Sequence, residues 1–289
     1  MAIKLGSSGI SKLYLGSTEA TKVYLGSVEV YPAYTGFAFS VDTTKPAGTL
    51  STQFQLPLIS SGTISMDVDW GDGTTDTITT YNQAETLHTY STSGTYNIEI
   101  TNEVRGWQFN NSGDRQKITN IYKWGDFNFT DNKVFYGCKY MTCTATDVPT
   151  ISTTDLQWAL ANCEILDFDA TGWNVSLVTN FNYTFFFMMK LVGTGFDTLD
   201  MSSAQFMTAT FFYDLKFNGN IGAWNLASLA SVNQTFQNCP LLNPNLVNWS
   251  FPNLTTFNRM FQYCTSFTGQ GVSNWNVSNV TNMNAAFNG

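Results

Sequence analysis

The residues of this chain whose types could support metal binding lie in the stretch DVDWGDGTTD. Its acids, Asp67, Asp69, Asp72 and Asp76, are spaced almost as in a calcium-binding loop. The interval between the second and third acids is one residue too long, and no Glu closes the loop at the expected distance. The pattern therefore favours a strand that ends in an Asp-Gly turn, with carboxylates that accept hydrogen bonds from loop backbone groups.

His88 is the only histidine of the chain. A histidine-based zinc site is therefore excluded, and any catalytic triad would have to use this one residue. The ordinary alternative, which we favour, is a structural histidine in a strand that packs near Tyr90. We predict no catalytic, metal-binding or cofactor-binding residue, and no enzymatic activity.

The five cysteines raise two alternatives, a disulfide framework and a column of buried thiols. Four of them lie three residues after an apolar position that recurs about every 25 residues. Residues at one position of such a repeat stack on one another, and a free Cys there behaves as a small hydrophobic residue. We favour a thiol ladder, with Cys143 outside it. The ladder consists of Cys138, Cys163, Cys239 and Cys264.

The second half of the chain repeats one pattern, which is clearest in WNVSNVTNMNAAF near its end. Related copies precede it at spacings of 26, 25, 25 and 26 residues, and each has a Phe twelve residues after its first residue. A fixed period of this length is typical of a solenoid. The predicted repeat core consists of Trp173, Phe185, Leu199, Phe211, Trp224, Phe236, Trp249, Phe261, Trp275 and Phe287.

The Trp residues of this core could form a surface on which sugars stack, because aromatic faces bind sugars well. Large residues at a fixed repeat position more often pack against their counterparts in the next copy. We therefore favour a core role for the Trp residues.

Within one copy, the residues at Trp275 and Val277 alternate as in a short strand. Val280, Met283 and Phe287 follow helical spacing and are predicted to share a helix face. Each copy then reads as strand, turn, helix and return. The expected fold of the repeats is an α/β solenoid with coils of about 25 residues.

Two further units precede the repeats. Residues 36–118 contain alternating stretches broken by Asp-Gly and Ser-Gly turns, which predicts a β-sandwich. Residues 1–35 contain ten-residue repeats with Leu-Gly at positions 5, 15 and 25, which predict short β-strands too few to be stable alone. This β-repeat segment is expected to dock on a partner or to oligomerise. Its docking residues are Leu13, Tyr14, Leu15, Val23, Tyr24 and Leu25.

The composition limits the partners of the protein. Only 12% of residues are charged, and the net charge of −8 includes no basic run, so nucleic acid is not an expected ligand. No apolar stretch is long enough to span a membrane, and the first residues lack the apolar centre of a signal peptide. We expect no membrane insertion. The abundance of Asn, Thr, Ser and aromatic residues fits an extracellular or virion-exposed protein.

The stretch WNVSNVTNM and the Phe-x-x-Cys positions resemble the BspA-like leucine-rich-repeat surface proteins over residues 119–289. VDWGDGT with HTYSTSGTYNIEI resembles a polycystic-kidney-disease-type (PKD) domain, an immunoglobulin-like sandwich. The Tyr-Leu-Gly-Ser repeats at the N-terminus resemble the repeats that open some bacteriophage structural proteins. The first resemblance implies that residues 119–289 form a leucine-rich-repeat-like α/β solenoid used for adhesion, and the last implies a phage setting.

These observations lead to two expectations. The first is a non-enzymatic structural or adhesion protein of a tailed bacteriophage virion, such as a tail fibre, receptor-binding protein or head fibre. It would assemble in the host cytoplasm, bind other virion proteins through its N-terminus, form a homo-oligomer and present its repeats to a host surface protein or glycan. The alternative is a BspA-like adhesin on a bacterial cell surface. A glycan-degrading enzyme is disfavoured, because the repeats offer too few acids for a pair of catalytic carboxylates.

Overall fold

The computed structural model describes residues 14–15, 18–19, 23–25, 28–31, 36–61 and 64–289. The chain divides into two compact units, Met1–Thr35 and Gly36–Gly289. In the first unit, β1 (Tyr14–Leu15) pairs antiparallel with β2 (Thr18–Glu19), and β3 (Val23–Leu25) pairs antiparallel with β4 (Val28–Tyr31). The predicted docking residue Leu13 lies outside the described residues, and the other five lie in β1 and β3.

The second unit is rich in β-structure and almost free of helix. Its strands are β5 (Phe37–Asp42), β6 (Gln53–Gln55), β7 (Met66–Asp69), β8 (Thr75–Ile78), β9 (Leu87–Thr89), β10 (Thr95–Thr101), β11 (Ile118–Lys123), β12 (Asn128–Phe129), β13 (Thr142–Cys143) and β14 (Thr150–Ile151). Its helices, within the described part of the chain, are three short 3-10 helices, at Ala84–Thr86, Phe196–Thr198 and Val272–Asn274.

The first part of this unit is built on one six-stranded sheet with the strand order β13-β11-β5-β10-β7-β8. β5 forms its centre because Phe37, Phe39 and Val41 alternate along one face of the strand and are fully buried. β6 and β9 form a separate antiparallel pair. The ring of Phe54 in β6 lies 6.0 Å from that of Phe39, so the small sheet packs on the large one.

The six-stranded sheet continues into the repeats. β11 pairs antiparallel with β5 and parallel with β13, and β13 lies well inside the predicted repeat region. The two parts therefore share one sheet and one continuous hydrophobic core. The predicted boundary between residues 118 and 119 falls at the start of β11, and it stays a prediction.

The repeated segments, which we call coils, bond to one another through their backbones. In each coil, alternate N–H groups donate to carbonyl groups 24 or 25 residues later. The pattern begins at Phe109, which donates to the Val134 carbonyl, and reaches Tyr263, which donates to the Asn288 carbonyl. Isolated parallel bridges also join successive coils, for example between Asn180 and Phe206. Each coil therefore hydrogen-bonds to the next.

These bonds run from the N–H of one coil to the carbonyl of the following coil. At the bridged positions bonds also run back to the preceding coil, and Phe206 N–H, for example, donates to the Thr179 carbonyl. The residues between the donors close local turns. Thr184 N–H, for example, donates to the Phe181 carbonyl, and Phe186 N–H donates to the Tyr183 carbonyl. The backbone polar groups of this part of each coil are thus satisfied without a helix.

The prediction of a helix in each coil was wrong. The N–H groups of Tyr183 and Phe187 donate to the Thr208 and Phe212 carbonyls, both at 2.9 Å, and not to residues four positions earlier. Both residues also have positive φ angles, 59° and 63°, which a right-handed helix cannot accommodate.

The last coil shows the same departure from prediction. Val280, Met283 and Phe287 do not share a buried helix face, since Met283 is 44% and Phe287 46% exposed. No described strand covers Trp275 and Val277 either. The bridged positions in the coils lie seven residues after each repeat anchor, at residues such as Asn180 and Asn282.

Nine of the ten predicted repeat-core residues are buried, and Phe287 is the exception. The Phe rings stack from coil to coil. Phe236 lies 5.2 Å from Phe211 and 5.5 Å from Phe261, with about 10° between ring planes in both pairs. Trp249 stacks in the same way between Trp224 and Trp275. The repeat positions therefore form columns of stacked side chains.

Candidate functional site

The acids of the DVDWGDGTTD stretch are engaged with their own loop. Asp69 accepts a bond from the Gly71 N–H, Asp76 from the Trp70 indole at 2.8 Å, and Asp67 from the Thr77 hydroxyl at 2.6 Å. Within the described part of the chain, no group of three or more His, Cys, Asp or Glu side chains is arranged to hold a metal ion. The carboxylates act as local backbone and side-chain acceptors.

His88 is part of an aromatic stack. Its ring lies parallel to Trp70 at 4.6 Å and edge-on to Tyr90 at 4.5 Å. Its Nε2 is 2.9 Å from Asp72 Oδ2. Burial opposes ionisation of Asp72, but hydrogen bonds from Thr74 and His88 outweigh it and hold the pKa of this carboxyl below its ordinary value. The arrangement holds His88 in place as a packing residue.

The four predicted ladder cysteines are buried free thiols. Three of them donate to the carbonyl 28 residues earlier, and Cys239 Sγ, for instance, is 2.9 Å from the Phe211 carbonyl. Burial raises the pKa of the Cys264 thiol to about 12, and it raises the pKa values of the other three as well. These thiols are unreactive, hydrogen-bonded parts of the core.

Asp214 occupies the position of a cysteine in this column and is fully buried. Its Oδ1 accepts a bond from the Met188 N–H at 2.7 Å, and its Oδ2 has no hydrogen-bond partner within the described part of the chain. Burial raises the pKa of this carboxyl well above its ordinary value. A buried carboxyl group therefore takes the place of the thiol in this coil.

The Trp column is closed to ligands. The indole N–H groups of Trp224, Trp249 and Trp275 donate to backbone carbonyls 28 or 29 residues earlier, at 2.7 to 3.0 Å. Their faces are buried against neighbouring rings, with at most 8% of each residue exposed. A sugar cannot stack on these rings, so the alternative of a ligand surface on the Trp residues does not hold.

A different set of aromatic side chains lies at the surface, on the outer side of four neighbouring coils. None of them is fully buried, and Tyr213 is 37% exposed. We call this set the aromatic ridge. It consists of Tyr136, Trp158, Tyr183, Phe186, Phe187, Phe212 and Tyr213.

The ridge is held together by ring stacking between coils. Trp158 and Tyr183 lie 4.0 Å apart with 1° between their planes. Phe187 and Tyr213 are 4.7 Å apart at 4°, and a third pair, Phe186 with Phe212, is 5.1 Å apart at 11°. Each of these pairs covers one face of both of its rings and fixes the rings relative to one another.

Two backbone positions in each coil carry four of the seven ridge side chains, and the other three lie one residue after the core position. These positions, two residues before and two after the stacked core Phe, adopt positive φ angles in successive coils. The earlier position is occupied by Lys133, Trp158, Tyr183, Ala209, Gln234, Arg259 and Ala285. The later one is occupied by Asn111, Gly137, Asn162, Phe187, Tyr213, Asn238 and Tyr263.

Bulky residues in this conformation are uncommon. A left-handed backbone costs roughly 1–2 kcal/mol for a residue other than Gly, and Asn tolerates it best among the rest. The chain uses Gly or Asn at the later position in several coils, but Phe187 and Tyr213 in the middle of the array. Backbone strain of this kind concentrates at functional sites, which makes the ridge the candidate ligand-binding surface.

The sequence contains a signal for the ridge that the core Phe positions alone do not reveal. Aromatic residues cluster immediately after the core Phe in two adjacent copies, as Phe186 with Phe187 and as Phe212 with Tyr213. If this segment were a helix, these residues would be spread around it and would share no face. The stacking of adjacent coils is needed to bring them together.

The fold and the ridge define a β-rich multidomain protein with hydrogen-bonded repeat coils and an aromatic outer surface. Two matches to the family described as "Mycoplasma protein of unknown function, DUF285" cover residues 106–191 and 183–289, and the chain belongs to this family. The match is compatible with the resemblance to BspA-like surface proteins. It begins at Gly106, close to Phe109, where the ladder of backbone bonds begins.

The other comparisons do not extend the family assignment. No curated protein and no solved structure matches the chain, so the PKD-type and phage resemblances have no support from them. In the described part of the chain, no helix is both long and apolar enough to cross a membrane.

Proposed function

We propose that this protein is a non-enzymatic surface adhesin of the BspA-like kind. The family match supports the surface setting, which fits a bacterial cell surface better than a virion. The observation that carries the proposal is the aromatic ridge across four coils. Partly exposed aromatic side chains that cluster at a surface are typical of interaction surfaces.

In this proposal the coils form a solenoid that presents the ridge, and the sheets of residues 36–118 form a PKD-type spacer. A stack of coils keeps ridge side chains in fixed positions, so little side-chain entropy is lost when a ligand binds. The rigid hydrogen-bonded backbone beneath them supplies this pre-organisation.

The N-terminal unit would serve as the attachment or oligomerisation segment. The two hairpins, β1 with β2 and β3 with β4, are short two-stranded sheets, which are marginally stable alone. Strand addition on a partner or on further copies of the chain would satisfy their edges. Attachment to a virion is the second setting for the same architecture, and it rests on the N-terminal repeats alone.

The adhesin proposal is tested with fluorescent beads coated with the full chain. Attachment to cultured animal cells and to bacterial cells is measured in separate arms, and albumin-coated beads serve as the blank. The ridge variant Phe187→Asn/Tyr213→Asn is the matched comparison, because Asn occupies the same backbone position at Asn162 and Asn238 and should preserve the fold.

We expect wild-type beads to attach to one of the two cell types and the ridge variant to attach several-fold less. Attachment no better than that of albumin in both arms would contradict the adhesin proposal. Attachment to bacteria alone, together with recovery of the protein in purified phage particles, would move the assignment to a virion.

A further inference from the structure

We propose that the aromatic ridge binds an anionic polysaccharide whose chain lies along the stack of coils. This inference rests on the proposed adhesive function and names the ligand class of the same surface. It is carried by three observations, which are the stacking of the ridge rings, the charges at and beside them and the state of the backbone beneath them.

The ridge rings are partly exposed and fixed in place. Trp158 and Tyr183, and likewise Phe187 and Tyr213, each cover one face of the other in nearly parallel pairs. An aromatic ring is negative on its face and positive at its edge. A ring edge that meets solvent therefore suits carboxylate and hydroxyl oxygens.

The two positive-φ positions carry cations and no anions. The chain has 21 acidic and 13 basic residues, yet no acidic residue occupies either position in the described coils. Lys133 occupies one of them in a ridge coil, and Arg259 occupies one two coils beyond the ridge. Cations at such positions favour an anionic ligand.

Two further cations flank the centre of the ridge. Lys190 and Lys216 each lie three residues after a ridge aromatic, Phe187 and Tyr213, in adjacent coils. Both side chains are exposed, and neither forms an ion pair with another described residue. Their charges are therefore available to a ligand at the turns that close these coils.

The backbone favours a polysaccharide over an acidic peptide. Extended peptides are commonly held by main-chain bonds to a free strand edge. The backbone N–H groups beneath the ridge, such as those of Tyr183 and Phe187, already donate to carbonyl groups of the next coil. Recognition must therefore come from side chains alone. Equivalent side chains of successive coils lie about 4.8 Å apart, which is the spacing between neighbouring strands. One sugar unit of an extended polysaccharide is comparable in length to this spacing.

The partly buried amide column beside the ridge adds hydroxyl-binding groups. In this column the Asn258 side-chain amide donates to Asn233 at 2.9 Å, and Asn182 accepts from the Thr208 N–H at 2.7 Å. Amides that are fixed in this way are well placed to exchange hydrogen bonds with sugar hydroxyls. Carboxylate groups would meet the lysines, and hydroxyl groups would meet the amides.

The test measures binding of the full chain to polygalacturonate and to hyaluronate by isothermal titration calorimetry. Carboxyl-reduced, neutral forms of both polymers are the matched ligands, and polyglutamate represents an acidic peptide. Three variants are compared with the wild type, namely Lys190→Gln/Lys216→Gln, Phe187→Asn/Tyr213→Asn and Lys45→Gln/Arg105→Gln. The third makes the same change of net charge within residues 36–118, and thermal melts check that each variant is folded.

We expect at least one of the two acidic polymers to bind and its neutral form not to bind. The Lys190→Gln/Lys216→Gln variant should bind about tenfold more weakly, because loss of two exposed ion pairs removes roughly a factor of ten. The ridge variant should also bind more weakly, because it loses the aromatic contact area of two side chains. Binding of the wild type should also weaken as salt is added. The Lys45→Gln/Arg105→Gln variant should bind as the wild type does.

Equal binding of neutral and acidic polymers, no binding of either acidic polymer, or equal loss in the Lys45→Gln/Arg105→Gln variant would overturn the proposal. Binding of polyglutamate in place of the polysaccharides would also overturn it. The bead assay separates this failure from failure of the adhesive function. If wild-type beads attach to cells and the ridge variant attaches equally well, adhesion stands and the ligand assignment fails.

Discussion

The rings of Trp158 and Tyr183 lie parallel at 4.0 Å, and both residues have φ angles near 60°, 61° and 59°. Stacked pairs contribute about 0.5–1.5 kcal/mol beyond their buried area. In a double-mutant cycle of Trp158→Ala and Tyr183→Ala, we expect a coupling free energy in this range, because the strain of the backbone is common to all four proteins and cancels. Urea unfolding measures it. A coupling near zero would show that the rings do not support each other.

The second prediction concerns the column of core Phe rings. Phe236 is fully buried between Phe211 and Phe261, so Phe236→Ala should lower the free energy of unfolding by about 3–5 kcal/mol. Phe287→Ala should lower it by much less, because Phe287 is 46% exposed. Chemical denaturation of both variants provides the comparison. Small and equal losses would be inconsistent with the stacking register.

The third prediction concerns the thiols. Burial raises the pKa values of all four ladder cysteines, so few thiolates exist for reaction at neutral pH. In the folded protein, iodoacetamide should modify the partly exposed Cys143 first. Under denaturing conditions without reductant, mass spectrometry should find all five cysteines modified. Detection of a disulfide between Cys138 and Cys163 would contradict the thiol ladder.

The fourth prediction concerns Asp214 and pH. Its carboxyl pKa is raised well above 3.8 in the folded protein, so the folded state binds the proton more tightly than the unfolded state does. The contribution of Asp214 to stability is therefore greatest below pH 3.8 and decreases as pH rises towards the folded pKa. In Asp214→Asn, which cannot ionise, urea midpoints between about pH 4 and pH 8 should fall less than in the wild type. Identical pH profiles would mean that Asp214 is not protonated in the folded protein.

The fifth prediction concerns the first unit, Met1–Thr35. A chain that starts at Gly36 should fold with an unchanged thermal midpoint and keep its attachment to cells. It should lose anchoring to the producing particle or cell, which fractionation measures. Normal anchoring with loss of attachment would reverse the assigned roles of the two units.

The sequence was sufficient to predict the repeat period, because Phe211, Phe236 and Phe261 recur at nearly fixed spacing and pack in one column. It was not sufficient to predict the local backbone. Apolar residues three or four positions apart are typical of helices. The same spacing arises here from turns with positive φ angles at residues such as Tyr183 and Phe187. Gly or Asn would have indicated such turns, but aromatic residues do not.

The ridge could not be predicted for the same reason. Its members belong to three different positions of the repeat, two of them consecutive, and come together only when the coils stack. The start of the ladder at Phe109 was also missed, since Phe109 lies in a copy that retains little of the repeat pattern. In contrast, a packing role for His88 follows from its place in an alternating strand and from its single occurrence.

The backbone ladder, in which successive coils bond through the same positions of the repeat, has a consequence for how such genes change. Each junction between coils uses equivalent N–H donors and equivalent carbonyl acceptors. In-frame duplication or loss of one 25-residue unit therefore joins compatible surfaces and leaves the remaining junctions intact. If the register between coils shifted by one residue, the N–H donors would instead face carbonyl groups that already accept hydrogen bonds. Recombination between copies can thus lengthen or shorten the array in whole units, and related surface proteins should differ in size by multiples of about 25 residues.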